Sequence, residues 1–333
     1  MRNHPDALPN LAKTHDIDLL CLQETKLQEM HVDDPKLKIK GFVLEEEGYD
    51  SYFSCATSKK GYSGTAVFVK RRKEKRSSNG EKNETKKKQS SMTSFFNKTA
   101  TANDTSGPSK SKTEIENEST FDTSIFIPKD ITYELGDTKH DTEGRMTTVH
   151  YQDLFTLSNL YVPNSGQKLD RLSYRTQEWD SDLVEYMDQK AKTTGHPVIW
   201  FGDLNVAHGA LDTWNEGAKH LAKSAGTTKE ERDSFEKQLK YNGSKEVDDS
   251  EEDQTYIDAF RYLHAGKGGH YTYWSQRAGN RAPNKGLRLD YFICSKSLME
   301  DNGRVVVRDS YIIPEQLGSD HCPIVLELEV KKE

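Results

Sequence analysis

Apolar residues recur along this chain in short runs of strand character. LLCLQ (Leu19–Gln23), TAVFVK (Thr65–Lys70), MTTVHY (Met146–Tyr151), LFTLSNLYV (Leu154–Val162), PVIWFGDLN (Pro197–Asn205), LDYFICS (Leu289–Ser295), VVVRDSYII (Val305–Ile313) and IVLELEV (Ile324–Val330) each predict a strand. Helical spacing appears between some of them. Leu169–Ala191 places Leu172, Trp179, Leu183, Tyr186 and Met187 on a helical period. Thr228–Leu239 opens with a Thr N-cap and has Glu231 at the capping-box position. Short strands interspersed with helices predict an α/β protein with two packed sheets.

Two segments break the pattern. Residues 71–120 hold six hydrophobic residues (Met92, Phe95, Phe96, Ala100, Ala102, Ile115) among 12 basic and 7 acidic ones. So little apolar surface does not offset the entropy of ordering, so a disordered insertion is expected there. Ser244–Gln254 (SKEVDDSEEDQ) sets six acids against one Lys and reads as a solvated acidic loop. Otherwise the 333 residues read as a single domain with ample material for a core.

Composition narrows the function classes. No run approaches the ~20 apolar residues of a membrane span, and Met1–Lys13 has no apolar signal core. Cys21, Cys55, Cys294 and Cys322 are scattered without a CxxC, which argues against a disulfide framework or a structural zinc site and for reduced thiols. The formal net charge of −7, taken alone, points away from nucleic acid.

Four polar clusters sit at strand ends and alter that picture. They are Gln23-Glu24-Thr25-Lys26, Tyr161-Val162-Pro163-Asn164, Gly202-Asp203-Leu204-Asn205 and Gly318-Ser319-Asp320-His321. Carboxylates, an amide, a phenol and an imidazole at strand ends converge readily on one rim of a sheet. Oxygen donors with a His and no Cys suit Mg²⁺ or Mn²⁺, and such an ion with a His–Asp pair suits phosphate-ester hydrolysis. Each cluster alone reads equally as turn chemistry, a helix cap or a solvated loop. Their conjunction carries the argument.

In that order, LCLQETK (Leu20–Lys26), GYSGTAVF (Gly61–Phe68), EGR (Glu143–Arg145), NLYVPNSG with RLSYR (Asn159–Gly166, Arg171–Arg175), GDLNVAH (Gly202–His208), RLDYF (Arg288–Phe292) and LGSDHCPI (Leu317–Ile324) resemble the exonuclease III / class II AP endonuclease family. GDLN and SDH mark the wider metal-dependent phosphoesterase superfamily, whereas YVPN with RLSYR, and RLDYF, mark the DNA-repair branch. The resemblance implies a four-layered α/β sandwich of two packed mixed sheets flanked by helices. It implies metal ligation by Glu24, Asp203, Asn205, Asp320 and His321, with Mg²⁺ as the ion and Mn²⁺ as the alternative. The catalytic set it implies is Tyr161, Asn164, Asp203, Asn205, Asp290 and His321. Asp203 would activate water, Asp290 would orient His321, and Tyr161 and Asn164 would meet the phosphate.

The implied substrate is double-stranded DNA with abasic sites, cut on the 5′ side by a monomer. The extruded sugar needs an apolar pocket, for which Tyr273, Trp274, Leu287 and Leu289 are the candidates. The two aromatics read equally as core, and the family usually has Trp where Leu287 stands. Arg145, Arg171, Arg175 and Arg277 are candidate phosphate contacts. Family members also begin with a strand reading roughly W-N-x-N/D-G-L/I-R. MRNHPDALPNLAKTHD at the start here resembles the helix that follows it, so the expectation is a shortened gene model or a weakly active isoform.

Within the insertion, Gln89-Ser90-Ser91-Met92-Thr93-Ser94-Phe95-Phe96 resembles the PCNA-interacting peptide that docks on the sliding clamp. Met92, Phe95 and Phe96 fall on one side of a helical turn, Gln89 anchors beside them, and Lys86–Lys88 would meet an acidic surface. Lys70–Arg76 reads as a nuclear localisation signal or a DNA-attracting patch, giving nuclear residence with mitochondrial residence as the alternative. Two readings compete with the repair nuclease: another superfamily phosphoesterase, and a clamp-tethered DNA-binding protein of weak catalytic power.

Overall fold

The computed structural model describes residues 6–34, 36, 43–72, 123–243 and 254–332. The clamp-like residues Gln89, Met92, Phe95 and Phe96, and nearly all of the acidic loop, lie outside them.

The strands that position the site belong to a six-stranded sheet. Its order is β4 (Asp130–Thr132), β5 (Met146–Tyr151), β6 (Phe155–Tyr161), β7 (Val198–Asp203), β9 (Asp290–Ser295), β8 (Tyr256–Asp258). Only β6 and β7 pair in parallel, because helix α4 (Asp180–Thr194) carries the chain between them; the remaining pairs are antiparallel. Strand β7 is buried along its whole length, and its alternation shows why. Val198 and Trp200 face a core shared with Trp179, Leu183 and Met187 of the α4 region and Phe235 and Leu239 of α5 (Lys229–Leu239). Ile199 and Phe201 face the opposite core. A continuous apolar run is what a strand covered on both faces requires.

The second core lies against two smaller antiparallel sheets. One has the order β1 (Leu19–Gln23), β3 (Thr65–Lys70), β2 (Tyr49–Ser54); the other pairs β10 (Val305–Ile312) with β11 (Ile324–Val330). Val67 and Val69 of β3 and Leu326 and Leu328 of β11 point into the inter-sheet core. Ala66 and Phe68 point outward to Leu11 and Ala12 of α1 (Ala7–Thr14). The result is helix, sheet, sheet, helix: the expected four-layered α/β sandwich. Parallel pairing is confined to the larger sheet, and the facing layer consists of two antiparallel pieces rather than one mixed sheet.

The helix expected over 169–191 differs in its first half. Tyr174–Trp179 forms a π-helical turn before α4 begins. Arg175 lies in that turn, buried, and donates to the carbonyls of Leu204 and Asn205 at 2.7 and 2.8 Å. The wider turn aims a guanidinium back at the end of β7, in keeping with the tendency of π-turns to occur at functional sites. Helix α5 has the expected box: Thr228 caps it, and Glu231 returns to the Thr228 backbone.

Candidate active site

Strand register assembles the centre of the site. Tyr161 is the partner of Asp203 across β6 and β7, and Asp203 is the partner of Asp290 across β7 and β9. Three chemically active side chains therefore stand side by side at one end of adjacent strands. Gly202 makes this possible. It sits at φ +123°, and a Cβ there would lie 2.3 Å from the carbonyl oxygen of Leu160. Only glycine permits that approach.

His321 arrives from the segment before β11. Its backbone bridges Tyr273, and its Nδ1 lies 2.8 Å from Asp290 Oδ2, leaving Nε2 3.9 Å from Asp203 Oδ2. Burial opposes charge on the ring, but the carboxylates of Asp290 and Asp203 outweigh it and raise the imidazole to about 10. The ring is thus an imidazolium at neutral pH, with Asp290 fixing its orientation. Burial, aided by the charge of Asp290 and opposed by His321, pushes Asp203 up to about 7.

Tyr161 keeps its proton. Burial, then the charges of Glu24 and Asp203, raise its phenol well above the usual range. The guanidinium of Arg145 lies 4.9 Å from the Tyr161 ring and donates to its carbonyl at 2.9 Å. Glu24 stands beside this phenol, at φ +57° and 3.2 Å from Lys26. Asn164 and Asn205 join each other: Asn164 Nδ2 donates to Asn205 Oδ1 at 2.9 Å, and Asn205 Nδ2 donates to Val162 O at 2.8 Å. Asn205 also donates its N–H to Asp203 Oδ1 at 2.9 Å, so it holds both the carboxylate and the neighbouring amide in place.

These donors suit a hard divalent cation. Glu24 and Asp203 act on the same phenol, and burial with the charge of Asp290 opposes ionisation of Asp203, which a bound cation would offset. Two groups of carboxylate and imidazole atoms converge among the described residues, Asp203–Asp290–His321 and Asp137–His140–Asp182. Glu24 and Asp320 are not members of the first group; Asp320 reaches His321 through its charge. In the second group Lys139 Nζ already lies 2.9 Å from Asp182, and His140 bonds Tyr174 and Asp182. That group is an ion network tying the turn at Thr138–Asp141 (α3) to α4.

The arginines divide into two kinds. Arg145 and Arg175 are buried and committed to protein acceptors, which corrects their assignment as phosphate contacts. A guanidinium enclosed in this way positions the site rather than meeting DNA. Arg171 pairs with Glu143 through NH2 at 3.0 and 3.2 Å and remains partly exposed; Arg277 is exposed. Tyr62, absent from the expected set, accepts from Arg145 at 2.6 Å and from Arg171 at 2.8 Å. Arg288 is likewise structural: it is buried between Asp212 at 2.7 Å and Asp258 at 2.6 Å, and so fixes the start of β9.

The pocket candidates divide as well. Trp274 and Leu289 are 3% and 6% exposed and belong to the interior, so neither is a DNA-facing surface. Tyr273 and Leu287 are half-buried and line a cleft of about 170 Å³ beside His321.

The chain matches the Endonuclease/Exonuclease/phosphatase family over residues 1–321. It is 32% identical over 321 residues to an exodeoxyribonuclease of Bacillus subtilis, covering 96% of this chain and 90% of the relative. It is 34% identical over 308 residues to a DNA-(apurinic or apyrimidinic site) endonuclease of Dictyostelium discoideum, covering 92% of this chain and 62% of the length of that relative. The crystal structure of an AP endonuclease from Leishmania major superposes with a TM-score of 0.69 at 27% identity, over 99% of this chain and 84% of that one.

Proposed function

Since the chain belongs to the Endonuclease/Exonuclease/phosphatase family, among relatives of the exodeoxyribonuclease and AP endonuclease kind, we propose that it is a DNA-repair nuclease. Its reaction is hydrolysis of the phosphodiester 5′ to an abasic nucleotide, with 3′→5′ exonuclease or 3′-phosphodiesterase action at chain ends. The observation that carries this reading is the row Tyr161, Asp203, Asp290, with His321 held on Asp290.

Asp203, whose buried carboxylate takes up a proton more readily than a free one, holds the attacking water and accepts its proton. His321, protonated and oriented through Nδ1, donates from Nε2 to the phosphate oxygen that gains charge. Neutral Tyr161 donates beside it, and Asn205 keeps Asn164 facing the same phosphate. Water adds to phosphorus as its proton passes to Asp203, the bond to the 3′ oxygen breaks, and that oxygen takes a proton from solvent water to leave as a 3′-hydroxyl. Mg²⁺, or Mn²⁺, held by Glu24 with Asp203 and Asp320 at hand, would neutralise charge on the phosphate.

Recruitment belongs to the same proposal. Gln89, Met92, Phe95 and Phe96 form a motif for a PCNA-type sliding clamp, and nuclear residence follows from that partner and from Lys70–Arg76.

The test is incision of a duplex carrying one abasic site in Mg²⁺. The wild type is expected to leave a 3′-end that a polymerase extends. Asp203→Ala is expected to slow incision by roughly 10²–10⁴-fold. Undiminished nicking by that variant would remove Asp203 from the chemistry.

A further inference from the structure

Trp214 stands apart from the other three tryptophans. Trp179, Trp200 and Trp274 are 1%, 0% and 3% exposed, while Trp214 is 43% exposed. It lines the cleft beside the reaction centre together with Leu221, Tyr273, Lys285 and Leu287. A large exposed indole forfeits burial unless something covers it in use.

Its placement is fixed by backbone. Trp214 N–H donates to Gly286 O at 3.2 Å, and Thr213 bridges Leu287. Leu287 in turn bridges Tyr273, and Tyr273 bridges His321. The indole is thus tied through consecutive strand-like contacts to the imidazole at the centre of the site. Lys285 Nζ lies 5.0 Å from the Trp214 ring. The cleft is lined by amides, hydroxyls, His220, Lys285 and apolar groups, and no carboxylate lines it among the described residues. In a chain of net charge −7, an acid-free cleft beside a phosphate-handling site is suited to an anionic ligand. Its volume is that of roughly half a dozen waters, which admits one ring-sized group.

We propose that Trp214 and Lys285 form a nucleobase-binding platform: a base still attached to the DNA stacks on the indole while the ammonium meets the adjoining phosphate. This inference rests on the DNA reading of the site and extends it. An abasic sugar has no π-face, so the platform serves base-bearing nucleotides, such as the last nucleotide of a 3′-end. Aromatic stacking accepts any base, and the lysine contributes through the backbone charge.

The test uses the full chain without divalent metal, so that nothing is cleaved. Tryptophan emission is followed while a duplex with a recessed, base-bearing 3′-end is added, and again with a matched duplex whose terminal residue is an abasic analogue. The part of the emission change that is lost in Trp214→Ala reports Trp214. The expected result is quenching by the base-bearing duplex and much less by the abasic one. With binding read by the anisotropy of dye-labelled duplexes, Trp214→Ala is expected to bind the base-bearing duplex roughly tenfold or more weakly, to lose at least fivefold of the preference over the abasic duplex, and to melt like the wild type. Trp214→Phe is expected to restore part of the preference. Equal quenching by both duplexes, or an unchanged preference in Trp214→Ala, would overturn the platform. Base-dependent quenching without any Asp203-dependent incision would instead leave the platform standing and remove the nuclease reading.

Discussion

Asp203 and His321 tie the stability of the fold to pH. Both bind protons more tightly in the folded chain than in the unfolded one. For His321 the unfolded value is 6.5 and the folded value about 10. Its contribution to stability is therefore fully present below about pH 6.5 and is lost as pH rises toward 10. Asp203, raised from 3.8 to about 7, contributes a slope of the same sign over its own lower window. The metal-free protein should lose melting temperature steadily between pH 6.5 and 10, and His321→Gln should flatten that decline. A wild-type melting temperature that rose over the window would contradict the assignment.

Arg145 offers a second prediction. If it met a phosphate, replacing it would lower the salt dependence of DNA binding by about one unit in the log–log slope. Enclosed by Glu143, Tyr62 and the Tyr161 carbonyl, it should leave that slope unchanged. Arg145→Ala should instead reduce stability by about 1–3 kcal/mol, because the partly buried Tyr161 carbonyl loses its donor while Glu143 keeps Arg171, and should slow turnover through a loosened Tyr161. Arg171→Ala, at a partly exposed guanidinium, is the comparison in which the slope should fall.

Among the elements, α5 shows most clearly how a local signal becomes a structural joint. Glu231 is fully buried, and its carboxylate accepts from Gly226 N, Thr228 N, Thr228 Oγ1 and Ser165 Oγ at 2.5–3.1 Å. The capping residue is also a clasp on the loop that follows Asn164. Thr228→Ala should cost about 1 kcal/mol, as an N-cap does. Glu231→Ala strands several buried donors and should cost more than about 3 kcal/mol in urea denaturation. Equal costs for the two would reduce Glu231 to an ordinary cap.

The elements legible from the sequence were those whose period matched their burial. Runs such as TAVFVK and PVIWFGDLN became β3 and β7 because both faces of each strand are covered. Strand β2, YDSYFS, was illegible because its polar alternation resembles a loop until it pairs with β3. Strands β4 and β8 are three residues each, too short for any period to appear. The π-turn at Tyr174–Trp179 was hidden because it follows from where Arg175 bonds, which spacing does not encode.

For the whole molecule, the residues that would meet at one strand end were legible and the enclosure of the cations was not. Asp203, Asp290 and His321 were readable as motif residues, and strand register brings them together. Arg145 and Arg175 were misread because a sequence shows charge and not enclosure. Trp214 was missed because an isolated Trp among Thr, Asn and Glu carries no period. The net charge of −7 likewise averages unlike parts: 71–120 carries 12 basic and 7 acidic residues, and the excess of acids lies in the rest of the chain.

That segment is where chemistry and recruitment should separate. Three of its six hydrophobic residues, Met92, Phe95 and Phe96, fall in one octamer behind Lys86–Lys88. A short apolar plug preceded by positive charge suits a hydrophobic pocket rimmed by acids, and paired aromatics usually dominate such interfaces. Phe95→Ala with Phe96→Ala should weaken clamp binding by roughly a hundredfold or more, read by titration calorimetry. Incision of a free abasic duplex should stay within about twofold, since the row Tyr161, Asp203, Asp290 is built from strands that do not include the octamer. Unchanged clamp affinity would leave the octamer as a stray apolar cluster, and a parallel fall in incision would tie the segment to the catalytic fold instead.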